Sequence, residues 1–266
     1  MVEFQRKEHY DINDLREIMA ILRCPDGCPW DREQNHQSIR NDFIEEVYEA
    51  VEAIDLDDTE LLREELGDVL LQVVFHCRIE EEKESFDFDD ICDELCQKLI
   101  IRHPHVFGDV TVSDSGEVLK NWDSIKKETK GQTSYTETLT SVAQSLPALM
   151  RAQKVGKRAM RAGMDFKSVD DTIECIKAET AELEEAVKSG KKEEIFEEFG
   201  DLLFSCVNTA RHLGIDAEEA MTRATEKFIE RFAATEDLVR LDGADMKALG
   251  IEKLDVYWNK VKNQAQ

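Results

Sequence analysis

The sequence contains few residues that break helices. Among 266 residues there are 12 glycines and 4 prolines, so few turns are available and long helices are expected. No stretch shows the sustained apolar/polar alternation of a strand, and no apolar run approaches the length of a membrane span. The first residues also lack the apolar core of a signal peptide. We therefore expect an all-α, cytoplasmic protein that does not enter a membrane.

Basic residues are scarce as well. The chain has 34 Lys and Arg against 59 Asp and Glu, which gives a formal net charge of −25. Nucleic-acid polymers are bound by basic residues that neutralise phosphates, so the composition argues against such a partner. A hydrophobic fraction of 41% is still sufficient for a core. Seven cysteines, an odd number without an export signal, indicate reduced thiols rather than a disulfide framework.

The two halves of the sequence repeat each other. Glu46-x-x-Glu49 corresponds to Glu179-x-x-Glu182, and Glu65-x-x-Asp68 corresponds to Glu198-x-x-Asp201, both at an offset of 133 residues (179 − 46 and 201 − 68). Identical spacing over two motifs indicates internal duplication. A polar segment rich in Thr and Ser lies between the copies. We predict two tandem helical-bundle domains, 1–128 and 144–266, joined by a linker at 129–143.

Each copy predicts a helical pair that carries carboxylates. Apolar residues Ile44, Val47 and Val51 recur with helical spacing in one segment, and Leu61 to Cys77 reads as the next helix, capped by Asp57 or Asp58. Residues three apart share a helix face, so each pair of helices can bring four carboxylates together. Like charges this close repel unless a cation is present. The predicted metal ligands are Glu46, Glu49, Glu65 and Asp68 in the first half and Glu179, Glu182, Glu198 and Asp201 in the second.

The alternative is that these residues only coat solvated faces. Asp68 argues against it, because its helix is apolar on almost every side, and such a helix is usually buried. A buried carboxylate must be neutralised, paired or metal-bound. Both copies also place a glycine, Gly67 or Gly200, before the aspartate in a helix interior, where glycine costs about 1 kcal/mol relative to alanine. Its use there indicates that something approaches the backbone closely.

Hard oxygen ligands without His or Cys at ligand spacing favour Mg²⁺, with Mn²⁺ as a substitute. Mg²⁺ held by carboxylates usually shares its ligand shell with substrate phosphates, so phosphate chemistry is the leading class. Basic pairs four residues apart, Lys98/Arg102 and Lys227/Arg231, follow the acidic helices and could bind phosphates. Trp122 and Trp258 could each stack a nucleobase or pack in the fold.

Two other classes stay open on the residues alone. A helical scaffold or regulatory interaction protein with a degenerate site would need no divalent ion. A carboxylate-bridged di-metal protein would use the same helical frame, but the di-iron signature Glu-x-x-His is missing at Glu49 and Asp68.

Several motifs resemble those of the MazG family, the all-α nucleoside triphosphate pyrophosphohydrolases. They occur in order along almost the whole chain: Gly27-Cys-Pro-Trp-Asp31, Glu45-Glu-x-x-Glu49, Glu65-Leu-Gly-Asp68, Arg102-His-Pro-His-Val-Phe107, Ser145-Leu-Pro-Ala-Leu-Met150 and Lys227-x-x-x-Arg231.

The resemblance implies Mg²⁺-dependent hydrolysis of ribo- and deoxyribonucleoside triphosphates to monophosphate and pyrophosphate by a homodimer or larger assembly. It assigns the eight carboxylates to metal binding and Lys227, Arg231 and Trp258 to the nucleotide. Trp122 is a further candidate for nucleotide binding. Glu45 or Glu46 would orient or deprotonate the attacking water, and Lys98 and Arg102 would stabilise phosphate charge. The second half departs from the pattern with Ala178 in place of Glu45, which bears on whether both halves are equally active.

Overall fold

A computed structural model describes residues 4–114, 116–118, 121–122, 125 and 133–264 of the chain. Within these residues the regular structure is helical and there is no strand, which confirms the all-α prediction. The chain forms two compact units, 1–126 and 127–266.

The first unit contains α1 (Ile12–Arg23), α2 (Pro29–Glu33), α3 (Arg40–Asp55), α4 (Thr59–Glu81), α5 (Phe88–Arg102) and α6 (Pro104–Phe107). The second contains α7 (Tyr135–Thr140), α8 (Ala148–Arg161), α9 (Val169–Ser189), α10 (Lys192–His212), α11 (Ala217–Leu241), α12 (Met246–Leu249) and α13 (Ile251–Gln264).

Side-chain caps account for where one helix of each acidic pair begins. Asp58 accepts hydrogen bonds from the backbone N–H groups of Glu60 and Leu61, which confirms Asp58 as the predicted cap of α4. Ser168 and Asp171 form a reciprocal capping box at the start of α9. Such caps satisfy N–H groups that have no partner within the helix, so they fix the first turn of α4 and α9. α3 and α10, the other two helices that carry acidic residues, begin without a side-chain cap.

The core of the first unit lies between α1, α4 and the residue that precedes α3. Met19, Ile39, Val74, Phe75 and Ile79 are buried together, with Leu15, Leu22, Leu71 and Phe88 packed against them. α3 packs along α4, and α1 packs on another part of α4. The long helix α4 is therefore held on two sides, which places its N-terminal turns beside α3.

The second unit repeats this arrangement with α9 and α10, and α8 packs against α10. Buried residues correspond at the offset of 133 found in the sequence. Three such pairs are Ile39 and Thr172, Ala53 and Ala186, and Val74 and Val207, all of them buried. The duplication thus extends from the acidic motifs to the residues that set the helix packing.

The apolar residues whose spacing predicts α3 do not form its buried face. Ile44, Val47 and Val51 are each more than 40% exposed in this chain. The buried residues of α3 are Ala50 and Ala53. Small side chains let α4 approach closely, so the alanine face packs inward and the larger apolar residues point away. That rotation also turns Glu46 toward α4.

Part of the predicted linker is helical. α7 lies within residues 129–143, packs against α8 and is followed by the buried Val142. Residues 129–132 lie outside the described residues. The domain limits 1–128 and 144–266 stay predictions.

Two further expectations concern membranes and thiols. Among the described residues, none of the helices combines the length and the apolar character needed to cross a bilayer. All seven cysteines are free, as predicted.

Candidate functional site

Three of the four predicted ligands in the first half come together between α3 and α4. Glu46 and Glu49 project from α3 and Glu65 from α4, and one carboxylate oxygen of each lies within 4.8 Å of the other two. We call these three residues the first acidic group. Glu65 is buried, Glu46 is half-buried and Glu49 is exposed, so the group opens to solvent on one side.

Asp68 lies outside this group of three but acts on it electrostatically. Burial raises the pKa of Glu46, and the charge of Asp68 is the next largest contribution. Burial also raises the pKa of Glu65, followed by the charges of Glu49 and Asp68. These carboxylates repel one another and gain from a bound cation.

The second half repeats the arrangement. Glu179 and Glu182 of α9 and Glu198 of α10 form a second acidic group, with ligand oxygens again within 4.8 Å of one another. Burial raises the pKa of Glu198, and the charges of Glu182 and Asp201 raise it further. Asp201 is exposed. The fourth predicted ligand therefore lies outside the close group in both halves, at the same register position.

Each helical pair turns back at equivalent residues. Asp57 has a backbone φ of 55° and Gly190 has a φ of 71°, and the two positions differ by the repeat offset (190 − 57 = 133). A left-handed residue at this point ends one helix and lets the next run antiparallel to it. The turn thus fixes which residues of the two helices face each other.

The donor atoms suit a hard divalent cation. Each close group offers carboxylate oxygens, and oxygen is the ligand that Mg²⁺ and Mn²⁺ prefer. The two acidic groups are therefore where the described part of the chain could hold a divalent metal ion. Glu45 is exposed, and its negative charge also raises the pKa of Glu46.

The prediction that the helix carrying Asp68 is buried on almost every side is wrong in part. Leu66 is 54% exposed and Phe199 is 52% exposed, Asp68 is half-buried, and the buried carboxylate is instead Glu65. The reason is that α4 and α10 are packed mainly on the faces toward their partner helices. Apart from its chain neighbours and its own helix backbone, no atom of the described residues lies within 4 Å of a Cβ atom added to Gly67. The backbone there is open to approach.

The predicted basic residues of the first half lie on α5. Lys98 is exposed, and Arg102 is half-buried with its guanidinium 5.2 Å from the centre of the Trp122 ring. This cation–π contact joins two residues that were predicted separately. Among the described residues, no hydrogen bond or ion pair joins the side chain of Lys98 or Arg102 to the first acidic group.

In the second half, Trp258 of α13 packs on α11. Its ring centre lies 5.2 Å from that of Phe228, the residue after Lys227. Arg231 is one turn further along α11 and is half-buried. The structure therefore places Trp258 beside the helix that carries both predicted basic residues.

Sequence reasoning missed polar residues next to the acidic groups. Cys175 Sγ lies 3.7 Å from Glu179 Oε1 and 3.3 Å from Ser205 Oγ, so a thiol does occur one turn from a predicted ligand. In the first half the equivalent positions are Asp42 and Gln72. The repeat offset, applied to every residue of both helices, would have identified them.

An open pocket of about 500 Å³ adjoins the second acidic group and is lined by Ala181, Glu182, Glu185, Ala186, Ser189, Glu194 and Glu198.

Comparison with known proteins connects this geometry to a family. The model of the MazG nucleotide pyrophosphohydrolase domain matches residues 34–107 and again residues 167–234, the two stretches that carry the acidic groups. The nucleoside triphosphate pyrophosphohydrolase/pyrophosphatase MazG of Thermotoga maritima is 45% identical over 249 residues, 94% of both chains.

Two other relatives cover the chain to a similar extent. The nucleoside triphosphate pyrophosphohydrolase of Escherichia coli is 44% identical over 258 residues, 95% of this chain and 97% of its own. Protein YabN of Bacillus subtilis is 42% identical across 96% of this chain, which corresponds to 52% of YabN. The chain therefore belongs to the MazG nucleotide pyrophosphohydrolase family and contains the family's domain twice.

Proposed function

We propose that the chain hydrolyses nucleoside triphosphates to nucleoside monophosphate and pyrophosphate, with Mg²⁺ held by the carboxylates of the acidic groups. The observation that carries the proposal is the pair of acidic groups, built at one register in both halves and located inside the two matched domains. The relatives from T. maritima and E. coli are both named as nucleoside triphosphate pyrophosphohydrolases, and both align over nearly the whole chain.

In the first half, Glu46, Glu49, Glu65 and Asp68 would hold the ion, and Glu179, Glu182, Glu198 and Asp201 would do so in the second. A bound Mg²⁺ would neutralise triphosphate oxygens and lower the pKa of a coordinated water. Mn²⁺ has the same preference for oxygen ligands and could replace it.

Residues of the chain would handle the proton and the phosphates. Glu45 or Glu46 would orient the attacking water and accept its proton as the water oxygen bonds to the α-phosphorus. The bond from the α-phosphorus to the bridging oxygen breaks, and pyrophosphate leaves with that electron pair. Lys98 and Arg102 would stabilise the charge on the phosphates in the first half.

The second half offers Lys227 and Arg231 for the phosphates and Trp258 for the base, and Trp122 is the corresponding aromatic residue of the first half. Because Ala178 replaces Glu45 in the second half, proton acceptance there would fall to the remaining carboxylates. The two halves need not have equal rates.

We also propose a homodimer or larger assembly in the cytoplasm. The apolar face of α3, with Ile44, Val47, Val51 and Ile54, is exposed in the single chain, as is Leu66 of α4. Exposed apolar patches of this kind mark interfaces, and a second copy of the chain is the proposed occupant. Free thiols agree with a reducing compartment. Light scattering after size-exclusion chromatography tests the assembly, and a monomer at micromolar concentration would contradict it.

The test of the activity uses Asp68→Asn and Asp201→Asn, separately and together, with ATP and Mg²⁺. Loss of a ligand should lower pyrophosphate release by at least about tenfold in the half that is active. Asp237→Asn is the control, because Asp237 is an exposed acid paired with Arg240 on α11. If neither single variant nor the double variant slows pyrophosphate release, the ligand assignment is wrong. Release of orthophosphate alone would indicate a different phosphatase chemistry.

A further inference from the structure

The paired helices face each other in layers, one helical turn apart. Glu46 and Glu49 of α3 each have a carboxylate oxygen within 4.8 Å of one on Glu65 of α4. From 49 to 46 the chain moves back three residues on α3, and from 65 to 68 it moves forward three on α4. An antiparallel pair has this property, so one further turn should place residue 42 opposite residue 72.

The second half confirms this register by direct contact. There Glu182 of α9 and Glu198 of α10 belong to one close group, with carboxylate oxygens within 4.8 Å of each other. One layer deeper than Glu179 and Asp201, Cys175 of α9 faces Ser205 of α10, and their Sγ and Oγ atoms are 3.3 Å apart. The positions 175 and 205 are equivalent to 42 and 72 at the repeat offset.

In the second half the polar groups of this deeper layer are hydrogen-bonded to each other. Ser205 is buried, and its hydroxyl shares a hydrogen bond with the Cys175 thiol, which also contacts Glu179 Oε1. The two polar groups are partners of each other, and among the described residues neither is a buried polar atom without a hydrogen bond.

In the first half the deeper layer contains a buried polar atom without a partner among the described residues. Gln72 is 8% exposed, and its Oε1 atom is buried without a hydrogen-bond partner among the described residues. Asp42, the other member of the layer, is half-buried. Beneath them Ile39 and Phe75 form an apolar floor. A buried acceptor without a partner is costly, typically about 1–3 kcal/mol, so its presence calls for a molecule that donates to it.

We propose that Gln72 contacts the metal ion of the first half through a water molecule, with Oε1 accepting a hydrogen bond from water in the ion's ligand shell. The inference rests on the proposed metal site. Mg²⁺ releases its waters reluctantly, and those waters need acceptors around them. Gln72 lies one helical turn beyond Asp68 on α4, so a water molecule between the ion and Oε1 would bridge neighbouring layers of the helical pair.

The test measures metal binding to the full chain with one acidic group disabled. Glu198→Gln with Asp201→Asn removes the second site, and Mn²⁺ affinity of the first is then measured by electron paramagnetic resonance. Adding Gln72→Met, which removes the acceptor at similar volume, should weaken Mn²⁺ binding about 10–100-fold, the usual effect of losing such a partner. Gln72→Glu keeps an acceptor oxygen and should bind Mn²⁺ at least as tightly as the parent.

A readout without metal separates this positioning role from a structural one. Because Gln72→Met removes a buried unpartnered acceptor, the metal-free protein should unfold at the same temperature as the parent or higher. The matched control is Ser205→Ala with the first acidic group disabled by Glu65→Gln and Asp68→Asn. It should change Mn²⁺ affinity of the second site by less than about threefold, since Ser205 already has a partner.

Three results would overturn the inference. Unchanged Mn²⁺ affinity in Gln72→Met would show that its oxygen serves only an ordinary structural water. A metal-free unfolding temperature that falls together with the affinity would make Gln72 a packing residue. If the parent with the second site disabled binds no Mn²⁺ at all, the first-half metal site of the proposed function fails as well, which distinguishes the two failures.

Discussion

Replacing Gly67 or Gly200 with alanine should stabilise the fold and weaken the activity. Both glycines occupy interior positions of long helices, directly before the aspartate of each acidic motif. Apart from its chain neighbours and its own helix backbone, no atom of the described residues lies within 4 Å of a Cβ built on either glycine. Alanine therefore meets no steric obstacle among the described residues, and its higher helix propensity is the main change in the free energy of unfolding.

The expected magnitude follows from that propensity. Alanine is favoured over glycine in a helix interior by about 1 kcal/mol. For a domain of about 130 residues this corresponds to a rise in unfolding temperature of about 4 °C. Calorimetry of metal-free protein measures it. Gly156→Ala is the control, because its Cβ would lie 3.0 Å from Asn208 Oδ1 and should bring a smaller gain or a loss.

The second part of the prediction is a lower rate of pyrophosphate release. A glycine retained at a cost in stability implies that substrate or a second copy of the chain approaches the backbone there. In Gly67→Ala with Gly200→Ala, the rate with ATP and Mg²⁺ should fall by at least about tenfold, the effect of a displacement of about 1 Å or less in a positioned substrate. A destabilised variant would contradict the open surface. A stabilised variant with full activity would refute the close approach.

Three further perturbations test the packing, the charges and the metal. Ile39→Ala should lower the free energy of unfolding by about 3 kcal/mol in urea, because Ile39 is 1% exposed in the first core; a loss below about 1 kcal/mol would contradict that packing. The pKa of Asp165 is lowered to about 2 by its hydrogen bond to Arg211, so its stabilising effect is complete above pH 3.8 and is lost as the pH falls through about 2. The urea midpoint of Asp165→Asn should accordingly fall less steeply between pH 4 and pH 2 than that of the parent, and equal slopes would contradict the ion pair. Mg²⁺ at 100 times its Kd should raise the free energy of unfolding by about 2.7 kcal/mol per site in calorimetry, and an unchanged profile would exclude binding to the folded state.

Features that depend on local spacing were predictable from the sequence. The helical class, the Asp58 cap and the repeat offset all come from residues a few positions apart, or from two copies of one pattern. The close approach of Glu46, Glu49 and Glu65 also follows from spacing, because three-residue steps on two adjacent helices leave few other arrangements.

Which face of a helix packs inward was not predictable in the same way. Periodicity located the Ile44 and Val47 stripe on α3 correctly, but it does not say what covers that stripe. Within one chain the contact with α4 is made through Ala50 and Ala53, whose small side chains permit the closest helix approach. Burial of Asp68 was overestimated for the same reason, since apolar residues on its helix were counted as covered.

The two halves differ most clearly where equivalent buried residues differ in side-chain polarity. Thr172 replaces the apolar Ile39 at a fully buried position, and its hydroxyl donates to the Val169 carbonyl at 2.7 Å. Ser205 replaces Gln72 and shares a hydrogen bond with Cys175. Thr172 and Ser205 each have a hydrogen-bond partner, so the fold tolerates buried polar side chains when they are hydrogen-bonded. Among the described residues Gln72 Oε1 departs from this rule. Because the second copy shows that the fold does not require such an acceptor, we assign it to the metal-bound water proposed for the first site.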